Sequence, residues 1–171
     1  GVFTAEAGAV RKIKWSGMYL EGSIDFQWVP STVRSLKVAF NMFHGTVKLA
    51  GLPDMLSQMD ISSDGLSGTL DIEHLPRCME SFDASVNRLS GSLHLDRLPP
   101  SIIELALNNN SFSGSVNLTN LPRIMTSLLL SCNSLDGSVN VSHLPAEMQT
   151  LLLSSNSFSG MTDFLHGFQR H

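Results

Sequence analysis

The feature that most constrains this chain is a set of glycines that recur at one fixed interval. Seven of its 13 glycines follow one another at steps of 23 residues without an insertion, at positions 22, 45, 68, 91, 114, 137 and 160. A period of about 20 to 50 residues is typical of stacked repeats, each too small to bury its own apolar side chains. The interval therefore predicts a solenoid whose coils are each one repeat long.

Apolar residues recur with the same period and predict which side chains face the core. Two apolar columns lie two residues apart in nearly every repeat, as in Leu105 and Leu107. This spacing indicates a short strand with one face inward. A second apolar pair follows each glycine, as in Val116 and Leu118, and we interpret it as a second short strand on the opposite side. A proline then fixes the corner and blocks helix formation.

A third column carries asparagine or aspartate just past the first predicted strand, in the motif NSFSG and its variants. An inward asparagine can serve backbone groups that the turn leaves unpaired, because its amide both donates and accepts. A carboxylate cannot donate, so Asp64 should be protonated, bridge a water or leave one backbone acceptor poorly served. These structural residues are Asn41, Asp64, Asn87, Asn110, Asn133 and Asn156.

The combined motif, LxxLxLxxN followed by an apolar residue, glycine and later Leu-Pro or Val-Pro, resembles the leucine-rich-repeat family over essentially the whole chain. It is most similar to the leucine-rich repeats of kinetoplastid (trypanosomatid) protozoa. The resemblance implies a right-handed, curved and mainly β solenoid. Its parallel sheet would line the concave face, with short strands or irregular segments on the convex face and little helix. We expect residues 1–171 to form one domain of about seven repeats, with 161–171 a degenerate last repeat.

The two ends of the chain follow the repeat unequally. Phe3 lies 23 residues before Phe26 and Ala7 lies 23 before Pro30, so the first nine residues are expected to begin in mid-repeat without a separate cap. After residue 160 the pattern decays, because Thr162 replaces an apolar residue. Open solenoid ends leave unpaired strand edges. We therefore expect a fragment of a longer array, or ends covered by a partner such as a second copy of the chain.

Charge and hydropathy argue against nucleic-acid binding and against a membrane-spanning segment. The formal net charge is -4, 15% of residues are charged and no basic run occurs, so nothing recruits a nucleic-acid backbone. The apolar runs are a few residues long, far short of the roughly 20 that cross a bilayer. We expect neither a nucleic-acid partner nor a membrane span in this segment.

The histidines give no convincing metal or catalytic site. His74 and His143 share a column but lie three coils apart, about 15 Å if neighbouring strands are about 4.8 Å apart. Bonds from an ion to histidine are about 2 Å long, so they could not share one. Only His143 and His166 could meet. We expect surface histidines, no metal, no cofactor and no enzymatic activity.

The two cysteines lie in different columns, more than two coils apart. Cys78 and Cys132 are therefore farther apart than the roughly 7 Å between Cα atoms that a disulfide tolerates, and they are expected to be free thiols. Unpaired cysteines favour a reducing compartment. The sequence thus leans toward the cytoplasm but leaves the cell surface open if a leader and an anchor lie outside this segment.

On the convex side, one column changes sign from coil to coil. It contains Asp25, Lys48, Asp71 and His94. We interpret it as a charge ladder that supports stacking.

The outward positions of the first strand are free of the core constraint and form the candidate binding surface. Lys37 could pair with Asp60 one coil away, whereas Asp60 and Asp83 set like charges side by side and leave open a cation, a partner or simple solvation. Leu129 and Leu152 would bury nothing unless a partner covers them. The candidate partner-binding residues are Lys37, Asp60, Ser62, Asp83, Ser85, Asn108, Leu129, Ser131, Leu152 and Ser154.

Together these patterns predict a non-enzymatic interaction module that binds a protein or peptide on the concave sheet. The alternative is a structural or surface-antigen spacer whose repeats have no specific concave ligand. Exposed, variable residues on the first strand favour the module.

Overall fold

The computed structural model describes residues 2–6 and 8–162. Their strands stack into two large sheets and one small one. The larger sheet, called the main sheet, contains in spatial order β1 (Val2–Glu6), β2 (Ala9–Lys14), β4 (Ser35–Lys37), β6 (Gln58–Asp60), β8 (Ser81–Asp83), β10 (Glu104–Ala106), β12 (Ser127–Leu129) and β15 (Thr150–Leu152).

The second sheet lies on the other side of the coils. Its strands are β3 (Glu21–Ser23), β5 (Met42–Thr46), β7 (Gly65–Thr69), β9 (Arg88–Gly91), β11 (Ser111–Ser115) and β13 (Ser134–Asp136). A two-stranded sheet pairs β14 (Ser138–Asn140) with β16 (Gly160–Thr162). Short 3-10 helices span Phe26–Trp28, Ile72–His74 and Leu95–Arg97.

The main sheet sets the stacking of the core. From β2 to β15 every neighbouring pair is parallel, and Leu105 pairs with both Phe82 and Leu128, each 23 residues away. All three side chains are buried in one continuous core. Because equivalent residues lie side by side, each coil buries its apolar face against the next. The predicted β-solenoid with parallel sheets and little helix is confirmed.

The second strand lies earlier in each coil than the sequence indicated. In β11 the side chain of Phe112 is buried, while Ser111 and Ser113 are exposed. Val116 and Leu118 are buried but belong to a loop, so the strand predicted after the glycine is wrong in this coil. The reason is that the alternation within Ser-Phe-Ser-Gly is itself a strand pattern. Within the described residues, strands extend two residues or more past the glycine only in β14 and β16, which pair with each other.

Gly68 illustrates why the recurring position is glycine. Its φ is +80°, a conformation that side chains rarely adopt, and a Cβ there would lie 2.9 Å from Cγ2 of Thr46 on the preceding coil. Glycine alone satisfies both the backbone angle and the close stacking.

The column interpreted as a charge ladder instead caps local turns. Asp25 and Asp71 each accept, through Oδ1, the backbone N–H two residues later, at 3.1 and 3.2 Å. Asn117 and Asn140 make the same bond in later coils, at 3.0 and 2.9 Å. The ladder interpretation is therefore wrong: these oxygens stabilise turns within their own coils.

The first strand departs from the repeat. β1 runs antiparallel to β2, with Val2 opposite Lys14 and Glu6 opposite Ala9. The expectation that the chain begins in mid-repeat is thus wrong for residues 2–6, because a hairpin, and not a stacked coil, pairs the edge of β2. Of the predicted degenerate repeat, residues 161 and 162 belong to β16 and the rest lie outside the described residues.

Candidate functional site

The outward side chains of the main sheet form one continuous surface, which we call the main-sheet face. Each strand contributes two of them, because side chains alternate between the two sides of a sheet. The inner column of this face is Lys14, Lys37, Asp60, Asp83, Ala106, Leu129 and Leu152. The outer column is Lys12, Ser35, Gln58, Ser81, Glu104, Ser127 and Thr150, of which Ser35 is buried.

The inner column was predicted from the sequence, and the outer column was not. The missing signal was the strand alternation itself, since each outer residue stands two positions before an inner one. Lys12, Gln58 and Glu104 are exposed. These side chains widen the candidate surface beyond the ten residues named from the sequence.

One end of the main-sheet face is basic. Lys14 and Lys37 lie opposite each other in register and are exposed. Neither makes an ion pair within residues 2–6 and 8–162. Lys37 also lies opposite Asp60, but the pair envisaged from the sequence does not form. Instead, Asp60 Oδ1 accepts the backbone N–H of Ser62 at 3.1 Å and its hydroxyl at 2.8 Å.

The middle of the face is acidic. Asp83 lies opposite Asp60 and repeats its arrangement, accepting the N–H and hydroxyl of Ser85 at 2.9 and 2.6 Å. Ser62 and Ser85 are only 5% and 8% exposed. The expectation that these serines contact a partner is therefore wrong, because their hydroxyls are buried and orient the two carboxylates.

The far end of the face is apolar. Leu129 and Leu152 lie opposite each other in register. Leu152 is 49% exposed and Leu129 is half-buried. Beside them, the Ser154 hydroxyl donates to that of Ser131 at 3.0 Å. The structure thus brings four of the residues named from the sequence into one patch, and Asn108 lies half-buried in the same column as the serines.

A depression of about 280 Å³ joins the acidic and apolar parts of the face. Asp83 and Glu104 line its acidic side, and Ala106 and Leu129 line its apolar side. The Ser81 hydroxyl donates to Glu104 Oε2 at 3.3 Å. The depression therefore presents negative charge next to apolar surface.

The asparagine column supports the main-sheet face from behind. Asn87 Nδ2 donates to three carbonyl oxygens, those of Ile61, Ala84 and Ser85, at 2.9 to 3.2 Å. Its Oδ1 accepts the N–H of Leu66 at 3.0 Å. Equivalent bonds are made by Asn41, Asn110, Asn133 and Asn156. Each amide thus ties the end of a first strand to the start of a second one.

The residue before each asparagine has a left-handed backbone, which the sequence reading did not anticipate. The φ angles of Phe40, Ser63, Val86, Asn109, Cys132 and Ser155 lie between 55° and 57°. This conformation is unusual for phenylalanine and for β-branched valine. Because Asn87 Nδ2 holds the carbonyls of Ala84 and Ser85, it braces the turn through Val86. The asparagine signal was readable from the sequence, but the strain beside it was not.

Asp64 is the exception in this column. Its Oδ1 accepts the N–H groups of Asn41 and Phe43 at 3.1 and 3.0 Å. Its Oδ2 is the one buried side-chain polar atom without a hydrogen-bond partner among the described residues. Burial raises the pKa of Asp64 to about 6, the two N–H bonds oppose this shift, and nearby Asp60 adds to it. Protonation would supply the donor that asparagine provides elsewhere.

Among the described residues, no histidine or cysteine belongs to a strand of the main sheet. His74 Nδ1 contacts Asp71 Oδ2 at 2.9 Å, with both residues exposed, and His143 contacts the Ser142 hydroxyl at 2.7 Å. His166 lies outside the described residues. Cys78 and Cys132 are exposed and unpaired. Within the described ranges, no three His, Cys, Asp or Glu residues are grouped so that they could hold a metal ion.

Stacked parallel coils, an apolar core and a column of bracing asparagines define a leucine-rich-repeat solenoid. No family model matches the chain, and no curated protein matches it. Solved structures do match. Pollen Receptor Kinase 3 is 20% identical with a TM-score of 0.78, over 96% of this chain and 83% of that one.

Two larger receptors have similar folds over shorter parts of their length. The plant peptide hormone receptor RGFR1, in complex with RGF2, is 27% identical with a TM-score of 0.71, over 82% of this chain and 23% of that one. The leucine-rich-repeat ectodomain of the receptor kinase GASSHO1/SCHENGEN3 from Arabidopsis thaliana is 24% identical with a TM-score of 0.67, over 81% and 17%. The chain therefore spans about a fifth of these receptors. Closeness to kinetoplastid repeats stays a prediction.

The helices in the described part of the chain are three-residue turns, and none is long or apolar enough to cross a membrane.

Proposed function

We propose that this chain is a non-enzymatic interaction module that binds a protein or peptide on the main-sheet face. The observation that carries the proposal is the patch formed by Leu129 and Leu152, two apolar side chains that lie side by side at one end of the main-sheet face. Apolar side chains gathered in this way are stabilised when a partner covers them. RGFR1, which has a similar fold, is described as a peptide hormone receptor in complex with RGF2, and this supports a peptide or protein as the partner class.

The test begins by identifying a partner and then asks where it binds. Immobilised chain captures proteins from an extract of the source organism, and the captured candidate is purified for affinity measurement. Leu129→Asp with Leu152→Asp should weaken that affinity by about tenfold or more, because burying a charge in the contact is costly. The circular dichroism spectrum should be unchanged, since neither side chain belongs to the core.

A matched control uses two exposed apolar residues outside the main-sheet face. Phe40 and Met42 are 66% and 51% exposed. Phe40→Asp with Met42→Asp makes the same chemical change and should leave the affinity within about twofold. Equal affinity for the Leu129/Leu152 variant and the native chain would reject the proposed site.

The alternative from the sequence is a structural or surface-antigen spacer. Its support is the continuous stacking of the two sheets, which would make a stiff rod. A spacer predicts that no partner depends on Leu129 or Leu152, so the same affinity measurement separates the two functions. A homodimer through the ends of the stack and a location in the cytoplasm or at the cell surface remain further proposals. Sedimentation of the full-length protein tests the first and immunolocalisation tests the second.

A further inference from the structure

The main-sheet face changes its chemistry in one direction along the solenoid. Lys12, Lys14 and Lys37 lie on β2 and β4 and form no ion pair within the described residues. Like charges placed opposite each other in a sheet are unfavourable, so Lys14 and Lys37 would be stabilised by an acidic group above them. The basic end is therefore complementary to an acidic side chain of a partner.

The acidic middle has the opposite complementarity. Asp60 and Asp83 use Oδ1 for the bonds to the serines two residues later. For their Oδ2 atoms, no hydrogen bond or ion pair with the described residues is seen. Glu104 adds a third carboxylate at the rim of the 280 Å³ depression. A lysine or arginine fits here, because its charged end would meet the Oδ2 atoms of Asp60 and Asp83, with Glu104 on the next strand.

The apolar wall of the depression favours the same occupant. Ala106 and Leu129 lie next to the carboxylates, and the methylene groups of a long basic side chain bury well against such surface. Leu129 also lies beside Leu152 on the next strand, and together these two side chains offer apolar contact to a large aliphatic or aromatic side chain. The basic, acidic and apolar sections of the face are therefore complementary to an acidic, a basic and an apolar side chain, in that order.

Strand spacing converts this order into a peptide length. Neighbouring strands lie about 4.8 Å apart. The midpoint between Lys14 and Lys37 is therefore two strand spacings, about 10 Å, from the midpoint between Asp60 and Asp83. That second midpoint is three strand spacings, about 14 Å, from the midpoint between Leu129 and Leu152. An extended peptide advances about 3.3 Å per residue, which gives steps of about three and about four residues.

We propose that the main-sheet face recognises an extended peptide that crosses the strands and carries an acidic residue, a basic residue about three positions away and a large apolar residue about four positions further on. This inference rests on the proposed function and specifies its ligand. A uniformly anionic ligand such as a nucleic acid would suit the lysines but would be repelled by Asp60, Asp83 and Glu104. The order of side chains, and not the net charge, is what the face selects.

The experiment uses fluorescent peptides of about ten residues in a Gly/Ser background. One carries Glu, Arg and Leu at the derived spacing, a second is its reversed sequence, and a third exchanges Glu and Arg. One of the first two should bind the native chain about tenfold more tightly than the exchanged peptide, because exchange turns two attractions into repulsions. Fluorescence polarisation measures each dissociation constant.

Protein variants test whether the named charges cause the preference. Lys14→Gln, Lys37→Gln, Asp60→Asn and Asp83→Asn together should abolish the preference, while asparagine keeps the Oδ1 acceptor that Ser62 and Ser85 use. Lys48→Gln with Asp71→Asn removes exposed charges elsewhere on the solenoid and should leave the preference intact.

The outcomes separate this inference from the proposed function. If all peptides bind within about threefold of one another, or none binds below about 1 mM, the order of side chains is wrong. The same holds if the charge variants keep the preference. If the captured partner still depends on Leu129 and Leu152 in any of these cases, the interaction module stands. If the affinity of that partner is unchanged in the Leu129/Leu152 variant, the proposed function is wrong, whatever the peptides show.

Discussion

Asp64 Oδ1 accepts the backbone N–H of Asn41 one coil away at 3.1 Å, while Asp64 Oδ2 is buried without a partner. In the neighbouring coils, the asparagine nitrogen in this column donates to carbonyl oxygens. When Asp64 is ionised, its Oδ2 is an acceptor at the position where asparagine has a donor, so the backbone carbonyl oxygens there receive no hydrogen bond from it. This mismatch makes the corner at Asp64 the weakest point that we identify in the column.

Asp64→Asn should stabilise the fold at neutral pH. The amide keeps the bonds from Asn41 and Phe43 and adds the missing donor. A buried group without its partner costs about 1 to 3 kcal/mol, so the free energy of unfolding should rise by about that amount at pH 8. Urea denaturation measures it. A lower stability for the variant would contradict the bracing role of this column.

The stability difference between the native chain and Asp64→Asn should depend on pH. The pKa of Asp64 is raised to about 6 in the fold from an ordinary value of 3.8, so the folded state holds the proton more tightly than the unfolded state. The stabilisation from protonated Asp64 is therefore complete below about pH 4 and is lost as the pH rises through about 6. The melting temperatures of the two proteins should converge at pH 4 and diverge by pH 8. A constant difference across this range would refute the titration of Asp64.

Val86→Gly should stabilise the chain, in contrast to most glycine substitutions. A left-handed backbone costs an L-residue about 1 to 2 kcal/mol, and glycine removes this cost. The greater freedom of glycine in the unfolded state offsets about 0.5 to 1 kcal/mol of that stabilisation. Val86 has a φ of 55° and is 47% exposed, so little burial is lost. Ser113→Gly, in an exposed strand position, is the control and should destabilise. Equal losses for both variants would show that Val86 is not strained.

Asn110→Ala should be far more harmful than Asn117→Ala. Asn110 Nδ2 donates to the carbonyls of Ala84 and Leu107 at 3.0 and 3.1 Å, and its Oδ1 accepts the N–H of Leu89. Leaving these groups unserved should cost about 3 kcal/mol or more. Asn117 is exposed and caps only a local turn, worth about 1 kcal/mol. Comparable losses in thermal denaturation would remove the distinction between the two columns.

Much of the fold could be predicted because stacking turns a sequence interval into a spatial line. Leu105 and Leu107 were expected to face the core from their spacing, and both are buried. The parallel sheets follow from the same spacing, since each coil repeats the turn of the previous one. The expected exposure of Leu152 rested on this alternation as well.

The errors arose where local geometry overrides the interval. The second strand was placed at Val116 and Leu118, because apolar alternation alone does not distinguish a strand from a buried loop. Ser62 was expected on the surface, but its hydroxyl turns back to Asp60 and is buried. The hairpin of β1 was missed because the match between Phe3 and Phe26 imitates the period. The left-handed backbone at Phe40 and Val86 could not be predicted, because neither residue type favours this conformation.

The most direct test of the binding surface is site-specific photo-crosslinking within a single coil. A photoreactive phenylalanine analogue replaces Ala106 on the main-sheet face or Ser113 on the second sheet, two outward positions of the same coil. A partner bound on the main-sheet face should crosslink to position 106 and not to position 113. Crosslinking at position 113 with none at position 106 would contradict binding on this face.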